Sequence, residues 1–198
     1  MFGIRKEETP KYDVLAKSEQ MEIRQYAPYI TATTTVDGSF NDTQNKAFRI
    51  LAGYIFGDNE KSAKISMTAP VVMNPQKSAS EKIAMTAPVV QTPTDKGWEM
   101  SFMMPSQYSK IEDLPKPKDE RVSFKQVESK TVAVIQFTGF WSEEKNQKMA
   151  DQLKAWLAQN KDYELSSAPK FAGYDPPWTL PFLRRNEVMI ELKKTSSR

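Results

Sequence analysis

The hydrophobic pattern of the chain runs strand, strand, helix, and then repeats itself. YDVLAKS (Tyr12–Ser18), MEIRQY (Met21–Tyr26) and YITATTTV (Tyr29–Val36) read as strands, the last dominated by β-branched residues. After Gly38 the apolar spacing becomes helical. Ala47, Phe48, Leu51, Ala52 and Ile55 fall on one face of FNDTQNKAFRILAGYIFG. Asn41 is the expected N-cap, with Gln44 reaching back three residues later, and Gly57 is the expected stop.

The same order returns in VSFKQVE, TVAVIQFTG and FWSEEKNQKMADQLKAWLAQN. Here Ser142 is the expected cap, Glu143 and Glu144 suit the positive end of the helix dipole, and Met149, Leu153, Trp156 and Leu157 form the apolar stripe. The two stretches superpose without a gap at an offset of 101 residues, which carries Gln25 to Gln126, Ala32 to Ala133, Gly38 to Gly139 and Asn45 to Asn146. Apolar positions follow: Ile23 with Phe124, Phe40 with Trp141, Phe48 with Met149, Ile55 with Trp156. One supersecondary unit used twice predicts a single domain over 1–198. Its two pseudo-equivalent halves run over about 12–105 and 120–192, closing around a shared core.

Between the helices a nine-residue phrase occurs twice, KISMTAPVV (Lys64–Val72) and KIAMTAPVV (Lys82–Val90). Alternation within it puts Ile65, Met67 and Ala69, and likewise Ile83, Met85 and Ala87, on one face of a strand. The polar NPQKSASE between them reads as a loop joining neighbouring strands. WEMSFMMP (Trp98–Pro105) and NEVMIEL (Asn186–Leu192) are further strands, and LPKPKDER (Leu114–Arg121) is an extended crossover.

Composition narrows the chemistry. Hydrophobic residues at 39% and charged residues at 27% describe an ordinary soluble globular protein. The net charge of +3 is spread among interleaved Lys and Glu, with no basic stripe, so no nucleic-acid partner is expected. No apolar run is long enough to span a membrane and the N-terminus lacks a signal-peptide core. The expected compartment is the cytoplasm, or the periplasm had a leader been removed, and the expected state is a monomer. The chain has neither cysteine nor histidine, which removes disulfides, thiolate or imidazole metal sites and Ser–His or Cys–His catalysis. No Gly-rich phosphate loop is present.

FGIR, EIRQY, the doubled KI-x-MTAPVV, MSFMMPSQY through LPKPKDERV, FTGFW and GYDPPWTLPFLRRNEV together resemble the SOUL haem-binding protein family, especially its bacterial and plant members. The resemblance covers nearly the whole chain in order. It implies an α+β domain in which a distorted eight-stranded antiparallel β-barrel with pseudo-twofold symmetry is flanked by two helices. The architecture is similar to effector-binding domains of multidrug-responsive regulators and to gyrase-inhibitor-like proteins. It also implies a non-enzymatic role in buffering or transport, with haem or another tetrapyrrole held non-covalently in an apolar groove without a His ligand.

Carried onto this sequence, the ligand site falls on the first helix. Phe48, Ala52 and Ile55 with Leu51 are wall candidates, and Lys46 or Arg49 are candidate propionate partners. A position that is basic in an animal relative is Asn45 here, and a histidine proposed as an axial ligand in another relative has no counterpart. Met67 and Met85 are candidate thioether ligands or wall residues. Each has a plainer reading: the helix stripe packs on the sheet, and the methionines fill irregular core space. Arg184, Arg185 and Glu187 form a second cluster, able to steer an anionic ligand or hold a buried polar network, with a salt bridge closing the last strand as the plainer reading. The alternative function is an effector-binding domain or a hydrolase for other amphipathic small molecules. A hydrolase calls for a carboxyl among Glu22, Glu99, Glu187 and Glu191 that enters a pocket with a raised pKa.

Overall fold

The computed structural model describes residues 8–60, 81–140, 142–175 and 179–195. In chain order its first elements are β1 (Tyr12–Ser18), β2 (Met21–Tyr26), β3 (Tyr29–Asp37), α1 (Phe40–Ile55) and β4 (Asn59–Glu60). Then come β5 (Val89–Pro93), β6 (Gly97–Met103), β7 (Lys116–Pro117), β8 (Ser123–Val127) and β9 (Lys130–Phe137). The last are α2 (Glu143–Leu157), β10 (Tyr163–Leu165), β11 (Lys170–Gly173) and β12 (Asn186–Lys194). The first strands and the second helix therefore lie where the pattern puts them.

Ten strands make one antiparallel sheet in the order β1-β2-β9-β12-β11-β5-β6-β3-β8, with β10 on β12, while β4 and β7 pair separately. The order of eight of them is a palindrome. β2 pairs with β9 as β8 pairs with β3, and β12 lies on β9 as β6 lies on β3. β11 lies on β12 as β5 lies on β6, and the β5–β11 ladder joins the two sets. That is the expected pseudo-twofold, eight-stranded arrangement, with β1 and β10 added to it, curled into a half-barrel. Gly38 and Gly139, matched by the offset, both turn from strand to helix with positive φ, 129° and 109°, which suits a residue without Cβ.

Successive strand residues point to opposite faces of the sheet. One face carries both helices: α1 packs Ala47, Leu51, Tyr54 and Ile55 onto Ile30, Ala32, Met100 and Phe102. On the other half, α2 packs Ala150, Leu153 and Leu157 onto Ala133, Ile135, Val188 and Ile190. The opposite face bounds a cavity to which all eight strands of the palindromic set contribute, so the sheet curls around it. Among the described residues no helix is long and apolar enough to cross a membrane.

Three expectations need correction. Helix α1 begins at Phe40 with Ser39, not Asn41, as its N-cap; the Asp42 N–H donates to Ser39 Oγ at 3.4 Å. The cause is Phe40, 1% exposed, whose ring meets Trp98 edge-on at 5.0 Å and fixes the first helical residue in the core. Secondly, the second KI-x-MTAPVV phrase is not a strand before Val89. Ile83 and Ala87 are buried but Met85 is 44% exposed, because residues 83–87 are held by separate bonds instead of a ladder. The Ile83 N–H donates to Ile55 O, the Thr86 hydroxyl to Met103 O, and the Ala87 N–H to Glu8 O. The first copy of the phrase, Met67 included, lies outside the described residues. Thirdly, Asn146 is fully buried whereas its counterpart Asn45 is exposed, so that identity does not mark one environment.

Candidate functional sites on the two faces of the sheet

On the outer flank of α1, Phe48, Ala52 and Phe56 follow at four-residue spacing and line up along the helix. Phe48 is 37% exposed and Phe56, the C-cap residue, 58% exposed, with Ala52 half-buried between them. The Phe48 ring leans on Phe102 at 5.6 Å and so has a rigid backing. Arg49 is exposed, about 100° around the helix from Phe48 on the solvent side. Lys46 is also exposed but about 160° from Phe48, on the opposite flank.

Ile55, proposed as a wall residue, is 1% exposed and packs beneath the helix with Leu51, so it faces the sheet and not a ligand. The Ile83–Ile55 backbone bond of 2.9 Å ties residue 83, two positions before Met85, to the end of α1. Phe56 is the member that the sequence reading missed. Its signal is the i+4 step beyond Ala52, and the expected stop at Gly57 leaves it within the last turn of the helix.

On the concave face, one half of the pseudo-twofold is closed by a buried ionic network. Arg24 on β2 reaches across β9 to grip Glu187 on β12 with both terminal nitrogens, at 3.0 and 3.1 Å. Arg185 donates twice to the same carboxylate, at 3.0 and 2.6 Å, and the Tyr174 hydroxyl donates at 2.7 Å. Tyr12 of β1 covers the Arg24 guanidinium at 4.3 Å. Burial and the Glu187 carboxylate push both the Tyr26 and the Tyr174 phenols well up, so both stay neutral, Tyr174 donating to Glu187 and Tyr26 accepting from Arg24 at 3.0 Å. The expected salt bridge of the Arg184, Arg185 and Glu187 cluster is thus present between Arg185 and Glu187. Arg184 instead donates to Thr179 O at 2.7 Å and lies over the Phe140 ring.

The other half of the groove carries the same pair in a different setting. Thr35 faces Glu99 as Gln136 faces Glu187, and the 101-residue offset takes Arg24 to Lys125. The Lys125–Glu99 ion pair, 2.5 Å, is therefore the pseudo-twofold counterpart of Arg24–Glu187. Arg24 is 2% exposed and Lys125 53%. Where Tyr26 fills the first half, Val127 stands in the second, and the space left is a cavity of about 180 Å³.

Glu191 sits in that cavity, its Oε1 taking Lys130 at 2.5 Å and Lys170 at 2.6 Å. Burial by itself would raise this carboxyl, but the two lysines outweigh it and hold it below the ordinary carboxylate range. Burial, with Glu191 beside it, pushes the Tyr29 phenol up to about 12. Burial would likewise raise Glu22, yet Lys17 and Arg24 together hold it low. A folded-state pKa below the unfolded value means stability that is present near neutrality and lost as pH falls through the folded pKa. Glu191→Gln is accordingly expected to unfold more easily than wild type at pH 7, with the gap closing below the ordinary carboxyl pKa. Urea midpoints at pH 7 and pH 3 check this; a gap independent of pH would contradict it.

Each of the four candidate carboxylates is thus paired with a cation, and Glu22 and Glu191 shift opposite to what a general base needs. Among the described residues no group of acidic side chains is placed to hold a metal ion.

A family model described as SOUL heme-binding protein matches residues 7–79 and 73–191. Heme-binding protein 1 of Xenopus laevis is 30% identical over 199 residues, covering 95% of this chain and 97% of that one. Heme-binding protein 2 of Mus musculus is 30% identical over 186 residues, covering 93% and 84%. A crystal structure described as a hydrolase from Listeria innocua superposes with a TM-score of 0.58 over 90% of this chain and 94% of that one. At 11% identity this last likeness is one of fold alone.

Proposed function

We propose that this chain, which belongs to the SOUL heme-binding protein family, binds haem or a related tetrapyrrole non-covalently, as a carrier or buffer and not as an enzyme. The observation that carries the reading is the exposed apolar stripe of α1, Phe48, Ala52 and Phe56, with Arg49 beside it. A porphyrin needs a flat apolar wall and cations for its propionates, and it tolerates many axial donors or none from the protein. The stripe supplies a wall for one face, and Arg49 supplies one propionate partner. Lys46, on the opposite flank, is poorly placed for the second.

With no histidine in the chain, an axial donor from the protein would be a thioether, a phenol or a carboxylate, and the exposed Met85 is the thioether candidate among the described residues. Any redox or ligand chemistry would be that of the iron itself. The role of the residues is to shield one face of the ring and to anchor a carboxylate. One-sided cover favours modest affinity and ready release, which suits transfer. The concave cavity, at about 180 Å³, is below the roughly 300–1,000 Å³ of pockets for drug-sized ligands. That size speaks against a porphyrin there.

Titration with hemin is expected to shift the Soret band saturably, to quench tryptophan fluorescence and to give no bis-histidine-type low-spin spectrum. A spectrum and an emission that both stay unchanged would rule the reading out.

A further inference from the structure

We infer that the concave cavity is a second ligand site, distinct from the α1 stripe, and that it takes a small organic monocarboxylate whose body is about one aromatic ring. The cavity arises where the pseudo-twofold breaks. In the closed half, Tyr26 and Tyr174 fill the groove over Arg24 and Glu187, and β1 covers them. In the open half the position of Tyr26 is Val127 and that of Arg24 is Lys125. The hole left there reaches the seam between the halves, where Tyr26, Tyr174, Lys130, Lys170 and Glu191 of the other half wall it. Its size, about 180 Å³, is close to the roughly 150 Å³ of an engineered cavity that accepts benzene.

Charge decides the sign of the ligand. Lys125 is neutralised by Glu99. Glu191 alone faces both Lys130 and Lys170, so among the described residues the cavity holds three ammonium groups against two carboxylates. The surplus cation is half-withdrawn from water, with Lys130 and Lys170 side chains 23% and 26% exposed. An ammonium carries three N–H donors and Glu191 accepts one from each lysine, so a second carboxylate can bridge the pair. Around this charge the wall is mixed, apolar at Val90, Val127, Val132, Met103 and Met189 and hydroxyl-bearing at Thr31, Thr33, Thr92 and Ser101. The Tyr29 hydroxyl, kept protonated as described above, is a further donor at the same end. A group that is anionic at one end and apolar at the other matches this distribution; a cation of the same shape meets the surplus charge directly.

The test compares three probes of one shape, benzoate, benzyl alcohol and benzylamine, titrated into the wild-type chain and followed by backbone amide shifts. Benzoate is expected to bind saturably, moving the amides of Val132, Met103 and Glu191, at least about tenfold more tightly than either other probe. Lys170→Gln removes the surplus charge and is expected to weaken benzoate about tenfold or more. Glu191→Gln frees both lysines and is expected to strengthen it. Opposite signs from two substitutions at one contact separate a binding role from general loss of structure. No saturable shift with benzoate, tighter binding of benzylamine, or the same sign from both substitutions would overturn the inference. Because the probes need no tetrapyrrole, this outcome is independent of the hemin titration.

Discussion

Glu187→Ala is expected to cost about 3–5 kcal/mol of folding stability, the range for stripping one partner from a buried ion pair. Glu187 is fully buried, and its two oxygens are the acceptors for Arg24, Arg185 and Tyr174. Without them Arg24, 2% exposed, loses both contacts of its terminal nitrogens to carboxylate and keeps only the Glu22 carboxylate at its Nε, 2.7 Å away, while its guanidinium cannot shed a proton to relieve the cost. A domain is stable by only about 5–15 kcal/mol in total, so the loss should be plain in a urea melt. The pseudo-twofold supplies an internal control. Glu99→Ala removes the equivalent carboxylate from an exposed pair with Lys125, and about 0–1 kcal/mol is expected. Equal losses at the two positions would mean that the Arg24–Glu187 network is solvated, contrary to its burial.

The second large effect concerns binding. Phe48 and Phe56 are 37% and 58% exposed, so covering both removes about as much apolar surface as burying one whole phenylalanine. That is worth roughly 1.5–3 kcal/mol, or about 10- to 100-fold in affinity. Phe48→Ser/Phe56→Ser should therefore weaken hemin by that factor while leaving the fold nearly intact, because both rings lie on the outer flank. Arg49→Ala should cost less, since a charge pair exposed to water is largely screened. Equal hemin affinity in the double variant and wild type would remove α1 as the site.

What could be read directly from the chain was whatever repeats locally. β-branched runs, helical apolar spacing and the Gly38–Gly139 match located β1, β2, β3, β6, β8, β9 and β12, both helices and the pseudo-twofold relation. What escaped was set by pairing across the sheet. Arg24 and Glu187 are 163 positions apart and meet only because β9 lies between β2 and β12. The equivalence of Glu99 with Glu187 was hidden because the connections in the two halves differ in length, so one offset cannot align both. Met85 went to the wrong face because alternation was read into a segment held by a side-chain hydroxyl and loop carbonyls. Ser39 and Asn41 are both competent caps, and the choice between them depended on where the buried Phe40 ring had to go. Finally, the cavity forms where Val127 replaces a tyrosine, a contrast without meaning until the two positions are known to be equivalent.

The placement of a tetrapyrrole on the outer face of α1, and not in the groove, is tested most directly by hemin affinity in two variants measured side by side. Phe48→Ser/Phe56→Ser is expected to lose about 10- to 100-fold relative to wild type. Lys130→Gln/Lys170→Gln, altered only in the concave cavity, is expected to bind hemin as wild type does. Undiminished binding in the first variant with loss in the second would place the ligand in the groove and contradict the account.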